Sequence, residues 1–163
     1  MRIENVHERT LPAGAGGAAG RLIDGLAGVD DRLWPHDRWP AMRLDAGVRV
    51  GSKGGHGPIR YEVVEHRSGH LVRFRFLAPT GLVGEHAYEL DVHSTPMVLR
   101  HVVRGHAEGR MRWRWPLLVA PLHDALIEDS FDRAVATVSA TPCAPARWSW
   151  RVRALRWLSK RVL

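Results

Sequence analysis

From residue 59 onward, apolar and polar side chains take turns along the chain. Ile59, Tyr61 and Val63 fall on one side of an extended backbone, and Arg60, Glu62 and Val64 on the other. Val72, Phe74 and Phe76 oppose Leu71, Arg73 and Arg75, while His86, Tyr88, Leu90 and Val92 oppose Glu85, Glu89 and Asp91. Leu99, His101 and Val103 oppose Arg100, Val102 and Arg104, and Met111, Trp113 and Trp115 alternate with Arg110, Arg112 and Arg114. Turn residues separate the runs at Ser68-Gly69, Pro79 to Gly81 and Thr95-Pro96. One wet face and one apolar face on strand after strand predict an antiparallel sheet covered on one side only.

The period changes at Trp115. Pro116 suits the first residue of a helix, where a missing N–H costs nothing. Leu117, Ala120, His123/Asp124, Ile127, Phe131, Ala134/Val135 and Val138 then recur at three- and four-residue steps, the apolar stripe of one long helix. Asp129, Asp132 and Arg133 lie mostly off that stripe and are expected in solvent. Pro121 either bends the helix or widens its first turn. A helix this long gains its stability by lying on an apolar surface, and the sheet supplies one.

The first third is less regular. Ile3 to Leu11 alternates and predicts a first strand. Ala13 to Ala27 has helical spacing weakened by glycines, each costing about 1 kcal/mol relative to alanine in a helix interior. Trp34-Pro35 and Trp39-Pro40 interrupt regular structure and offer large apolar anchors. Gly47 to Pro58 reads as a short strand running into a glycine-rich loop. The order is strand, short helices, hairpin strands and a long final helix, which is an α+β arrangement.

In this arrangement the chain resembles the START-like, or SRPBCC, superfamily, which includes birch pollen allergen relatives and polyketide aromatase/cyclases. The features that carry the resemblance are the strand and helix of Ile3 to Ala27, GSKGGHG between the second and third strands, the meander, and the helix containing PLHDALIEDSFDRA. It spans about residues 2–138. The resemblance implies a helix-grip fold: a curved antiparallel sheet of six to seven strands wrapped around the long helix, with two short helices after the first strand. It also implies a cavity between sheet and helix that takes an apolar or aromatic ligand of polyketide or lipid type. If the chain is an enzyme, the family implies a polyketide cyclase/dehydratase-like lyase or isomerase needing no metal or other cofactor.

The inward positions name the candidate chemistry. His86, Tyr88, His101 and His123 could supply the base and the oxyanion donor that an aldol-type cyclisation or dehydration requires. Each could equally be a core residue bonded to its neighbours. Tyr61, Phe74, Phe76, Leu99, Met111, Trp113, Ile127 and Phe131 are the expected ligand-binding wall. Ten histidines invite a metal reading, but their spacings match no metal motif, and no HExxH occurs. No metal site is therefore expected. The Gly51 to Gly57 segment lacks the GxxxxGK[ST] spacing of a phosphate loop and leads into a strand, so it is expected as a hairpin turn or a flexible lip.

Charge divides the chain in two. Arg147, Arg151, Arg153, Arg156, Lys160 and Arg161 fall within residues 142–163, which hold no acid. Removing those six from the 24 basic residues leaves 18 against 17 acidic, so most of the +7 belongs to this tail. The balanced body argues against nucleic acid as a partner. The expected division is a ligand-binding unit over 1–141 and a basic amphipathic tail over 142–163. In the tail Trp148, Val152, Leu155, Leu158 and Val162 form one stripe, with Arg153, Arg156 and Lys160 opposite. Residues 147–163 thus suit an anionic membrane surface, self-association, or packing back onto the body. A single cysteine, Cys143, rules out an internal disulfide, and MRIENVHERT has no signal-peptide core, which fits a cytoplasmic protein peripheral at most to a membrane.

Overall fold

The computed structural model describes residues 1–162, and the side chains of residues 1–158. Seven strands form one antiparallel sheet: β1 (Arg2–Thr10), β2 (Arg43–Val48), β3 (Lys53–His56), β4 (Ile59–Arg67), β5 (Leu71–Phe76), β6 (Leu82–Asp91) and β7 (Val98–Ala107). Their spatial order is β1-β7-β6-β5-β4-β3-β2, so the first strand closes the sheet beside the last. A bulge between Val63 and Glu65 bends β4 against β5. The sheet curls around a long helical stretch, which is the helix-grip arrangement.

The helical stretch begins earlier than the sequence pattern indicates. Met111–Arg114 is helical (α2), Trp115–Val119 is a π turn, and Ala120–Val138 is the main helix α3. The expected strand through Met111, Trp113 and Trp115 is therefore corrected. Met111 and Trp115 are four apart and share the buried side of a helix as readily as one face of a strand; Trp113 between them is 75% exposed. The π turn answers the two prolines. Ala120 N–H reaches back to Trp115 O, and Pro121 has no N–H to offer the carbonyl one turn before it. The carbonyls of Pro116 and Leu117 instead accept from Arg151 Nη2, at 3.3 Å each.

Two further expectations change. One helix follows β1, α1 (Gly16–Asp24), where two were expected. Residues 25–42 are turns organised by Asp31, whose carboxylate accepts from the backbone N–H groups of Ala27, Leu33 and Trp34. Within the glycine-rich segment, Lys53–His56 form strand β3, with turns at Gly51 and Gly57 on either side of it. A Cβ on Gly54 would lie 1.9 Å from Arg43 O, and one on Gly55 1.9 Å from Ile59 O, so glycine is required for the ladder to close.

Asp129, expected in solvent, is 2% exposed. Its carboxylate accepts from Arg38 Nη1 (2.6 Å), Trp39 Nε1 (2.7 Å) and Trp148 Nε1 (3.0 Å). It joins α3 to the 25–42 connection and to the tail. The tail ends in helix α4 (Trp150–Val162). Val152 is buried and Trp148 packs against Trp39 at 5.3 Å. Arg156 lies over the Trp39 ring at 4.3 Å, so this cation of the polar stripe faces the body. The side chains of Lys160, Arg161 and Val162 lie outside the described residues.

Removing this carboxylate leaves the buried Trp39 indole and the half-buried Arg38 and Trp148 without their acceptor. Asp129→Ala should lower stability by about 3–5 kcal/mol and expose residues 142–149 to protease, while Asp129→Asn loses less. Urea unfolding and timed proteolysis measure both effects. Unchanged values for the alanine variant would remove Asp129 as the anchor of the tail.

Candidate functional site

Apolar packing occurs in two clusters. The larger joins α1, the 25–42 connection, the sheet centre and α3; the smaller joins Ile3, Leu82, Val103, Ala107, Met111 and Trp115. Between them is a cavity of about 210 Å³. Members of both clusters line it, among them Trp34, Leu126 and Ile127 from one and Leu82, Val103 and Trp115 from the other. Trp39, Pro40, Gly57, Pro58 and Arg156 also line it, so β3's turn and the tail helix contribute to the wall.

Three of the four candidate catalytic residues line this space: His86, His101 and His123. Alternation along β6 and β7 turns His86 and His101 inward, and register sets His86 opposite Val103 and His101 opposite Tyr88. His86 stacks on Phe74 (4.8 Å) and Phe76 (5.0 Å). Its ring lies 5.6 Å from that of His101, which lies 5.0 Å from that of His123. Tyr88 takes another role. Ser130 Oγ donates to Leu33 O, so the Tyr88 hydroxyl donates to Ser130 Oγ, 3.1 Å away. Burial keeps this phenol protonated, and it packs behind His101, off the cavity wall.

The expected ligand-binding residues divide in the same way. Phe76 and Ile127 line the cavity. Tyr61, Phe74, Leu99 and Phe131 are core behind it, Met111 belongs to the smaller cluster, and Trp113 faces outward. Sequence reasoning missed His56, whose ring packs on Trp34 at 4.8 Å and whose Nδ1 is 3.1 Å from the Tyr61 hydroxyl. Its signal was the extended register of β3, hidden by the neighbouring glycines. Also missed were the tryptophan walls Trp34, Trp39 and Trp115, of which the first two sit in a connection without periodicity.

These imidazoles are neutral at ordinary pH. Burial pushes His56 down to about 3, and lowers His86 and His101 well below the usual histidine range. Burial also lowers His123, against the opposing pull of Asp124. His86 Nε2 and His101 Nδ1 are buried without a hydrogen-bond partner among the described residues. An unpaired buried polar atom costs about 1–3 kcal/mol. An apolar side chain at either position would avoid that cost.

No family model and no curated protein matches the chain. Solved structures do. A solution structure from Thermobifida fusca superposes with a TM-score of 0.60 at 10% identity, covering 90% of this chain and 98% of its own. Protein MLL2253 from Mesorhizobium loti gives 0.58 at 16% identity, covering 86% and 99%. CalU16 from Micromonospora echinospora gives 0.53 at 9% identity, covering 99% and 92%. At such identities the likeness is one of fold.

The neutral histidines set a pH dependence. A histidine held neutral in the fold but free to protonate when unfolded stabilises above about pH 6.5, and the gain is lost as pH falls. Each costs up to about 1.4 kcal/mol per pH unit below that point. His7 opposes them, since its hydrogen bond to Asp124 raises it. Stability should therefore fall steeply between pH 6.5 and 5, and His86→Phe should reduce the slope by one group's share. Chemical denaturation at stepped pH values tests this; a flat profile would mean the imidazoles are charged or wet.

Proposed function

We propose that the chain binds a small aromatic or apolar molecule carrying a polar group, in the cavity between sheet and helix. The observation that supports this most is the cavity itself, whose largely apolar wall carries the rings of His86, His101 and His123. The size of the cavity favours one or two rings: 210 Å³ exceeds the roughly 150 Å³ that takes up a benzene.

The same residues support acid–base chemistry on a carbonyl compound. A neutral imidazole can accept a proton from the carbon beside a carbonyl, and a second can donate to the oxygen on which charge develops. His101 and His86 suit these two roles. In a dehydration the C–H bond breaks and the C=C bond forms. The removed proton then leaves with the β-hydroxyl as water, so no redox partner is needed. His123 completes the wall, and Tyr88 holds the His101 ring in place.

Tryptophans 34, 39 and 115 on the wall make intrinsic fluorescence a direct readout. Titration with small phenols and aryl ketones should quench it with saturation, and Leu122→Trp, which fills the cavity, should abolish binding while leaving the far-ultraviolet spectrum unchanged. Failure of every such compound to bind would overturn the carrier and the enzyme readings together. With an aromatic β-hydroxy ketone, formation of the enone should fall at least about tenfold in His101→Leu; unaltered turnover would leave binding alone.

A second reading, docking on an anionic membrane, is favoured by one surface. Trp113 (75%), Leu117 (62%) and Trp150 (80%) are exposed, and Trp157 and Leu158 are half-exposed. Arg110, Arg112, Arg114, Arg147, Arg151 and Arg153 are exposed in the same two segments. Arg151 bonds the carbonyls of Pro116 and Leu117, so the start of α4 lies beside the π turn. Aromatic side chains among cations suit a lipid headgroup layer, each cation contributing about 1 kcal/mol. No described helix is long and apolar enough to cross a membrane. Flotation should recover the protein with vesicles rich in phosphatidylserine but not with phosphatidylcholine alone, and Trp113→Ala with Trp150→Ala should abolish recovery. Equal recovery of the double variant would remove the two tryptophans as the docking surface, and no recovery of the parent would overturn the reading.

A further inference from the structure

Beyond His123, the helix meets the edge strand of the sheet. The inward side of β1 runs Ile3, Asn5, His7, Arg9, with Leu11 following: three polar residues between apolar ends. His7 Nε2 lies 3.1 Å from Asp124 Oδ1, and His123 Nδ1 lies 3.8 Å from the same oxygen. One ligand atom from each of His7, His123 and Asp124 fits within a span of 4.8 Å. Around a tetrahedral zinc ion, with bonds of about 2.0–2.1 Å, neighbouring ligand atoms are separated by about 3.3 Å. The two separations to Asp124 bracket that value and the two imidazole nitrogens lie within 4.8 Å of each other, so rotations of the side chains would complete the geometry.

The surroundings add what a metal site needs. His7 Nδ1 is 2.8 Å from Glu128 Oε1, the hydrogen bond by which a backing carboxylate fixes the tautomer and aims the other ring nitrogen at a metal. Glu128 is held in turn by Arg9 Nη2 at 2.7 Å, and Arg9 Nη1 holds Asp132 at 2.7 Å. That engagement keeps Glu128 behind His7. His123 Nδ1 and Asn5 Oδ1 are both inaccessible and lack a hydrogen-bond partner among the described residues. His123 Nδ1 in particular faces the Asp124 carboxylate oxygen at 3.8 Å, beyond hydrogen-bond distance.

We propose that His7, His123 and Asp124 bind one divalent transition metal ion of the zinc class, with Glu128 as the carboxylate behind His7. Two imidazoles and one carboxylate form a mixed nitrogen and oxygen set suited to zinc, cobalt(II) or iron(II), and leave a fourth position for water or a ligand atom. Because His123 also lines the cavity, the ion sits at the cavity's edge. The proposal stands apart from the ligand-binding reading and survives its failure. The competing arrangement has a proton in place of the ion: a charged His7 bridging Asp124 and Glu128.

Cobalt(II) distinguishes the two. Full-length protein treated with a chelator and then titrated with cobalt(II) should take up one equivalent, with the visible bands of a four-coordinate site, and zinc should displace it. His7→Gln and Asp124→Asn should each abolish the bands. Glu128→Gln should weaken binding by about 10–100-fold, and His66→Gln, remote from the cluster, should bind like the parent. Metal should also raise the melting temperature of the parent but not of His7→Gln, provided circular dichroism finds both folded. Absence of stoichiometric uptake, or bands that persist in a folded His7→Gln protein, would overturn the site in favour of the protonated clasp.

Discussion

A carboxylate taken out of water must find its partners inside the fold, and Asp129 dictates the arrangement of everything near it. Desolvation raises its pKa, against the opposing hydrogen bonds of Trp39 and Trp148. Those tryptophans and Arg38 come from two segments with no regular pairing to the sheet. Asp129 gives them a common fixed point on α3. Trp39 thereby becomes a wall of the cavity, and Arg38 and Arg156 are drawn over indole faces at 4.2 and 4.3 Å. Without that fixed point the Trp39 side of the cavity has no determined shape.

The hollow itself follows from how the core is divided. Alternation along β6 and β7 brings imidazoles to the sheet centre, where large aliphatic side chains would otherwise close the gap to α3. Phe74 and Phe76 flank His86, and Tyr88 stands against His101 at 4.7 Å. Rings are rigid and stack in limited ways, so they hold the space open where flexible side chains would collapse into it. The chain keeps polar atoms in a place where apolar ones would be more stable, a sacrifice commonly found where a site has work to perform.

The sheet was legible because strand periodicity is strong and local: Tyr61, Val63, Val72, Phe74, His86, Tyr88, Leu90, Leu99, His101 and Val103 of the inward sets are buried, although Leu71 and Val102 of the opposite sets are buried as well. Legibility ended where two periods coincide. Met111 and Trp115 satisfy a strand and a helix equally, and only the exposure of Trp113 separates them. It also ended where a partner is distant. Asp129 looks like a solvated helix residue until Trp39 and Trp148 arrive beside it. The histidines of β6, β7 and α3 could be named from the pattern; that they would be neutral, and that Tyr88 would be committed to Ser130, depended on depth and on a contact 42 residues away. His7 passed unnoticed because its counterpart Asp124 is 117 positions along the chain. Asn5, His7 and Arg9 on alternate positions of a strand with apolar ends were nonetheless a signal that this strand faces something polar.

The pairing of Arg151 with the carbonyls around Pro116 bears on how the molecule is made. Two prolines leave the start of the long helix short of donors, and the missing donor is encoded 34 to 35 residues downstream of the carbonyls it meets. A nascent chain released from the ribosomal tunnel only as far as residue 141 would hold its sheet and most of its helix. It would still have bare carbonyls at the π turn and a half-solvated Asp129. Translation of the following segment is thus the step that finishes the helix lying in front of it and adds Arg156 to the cavity wall.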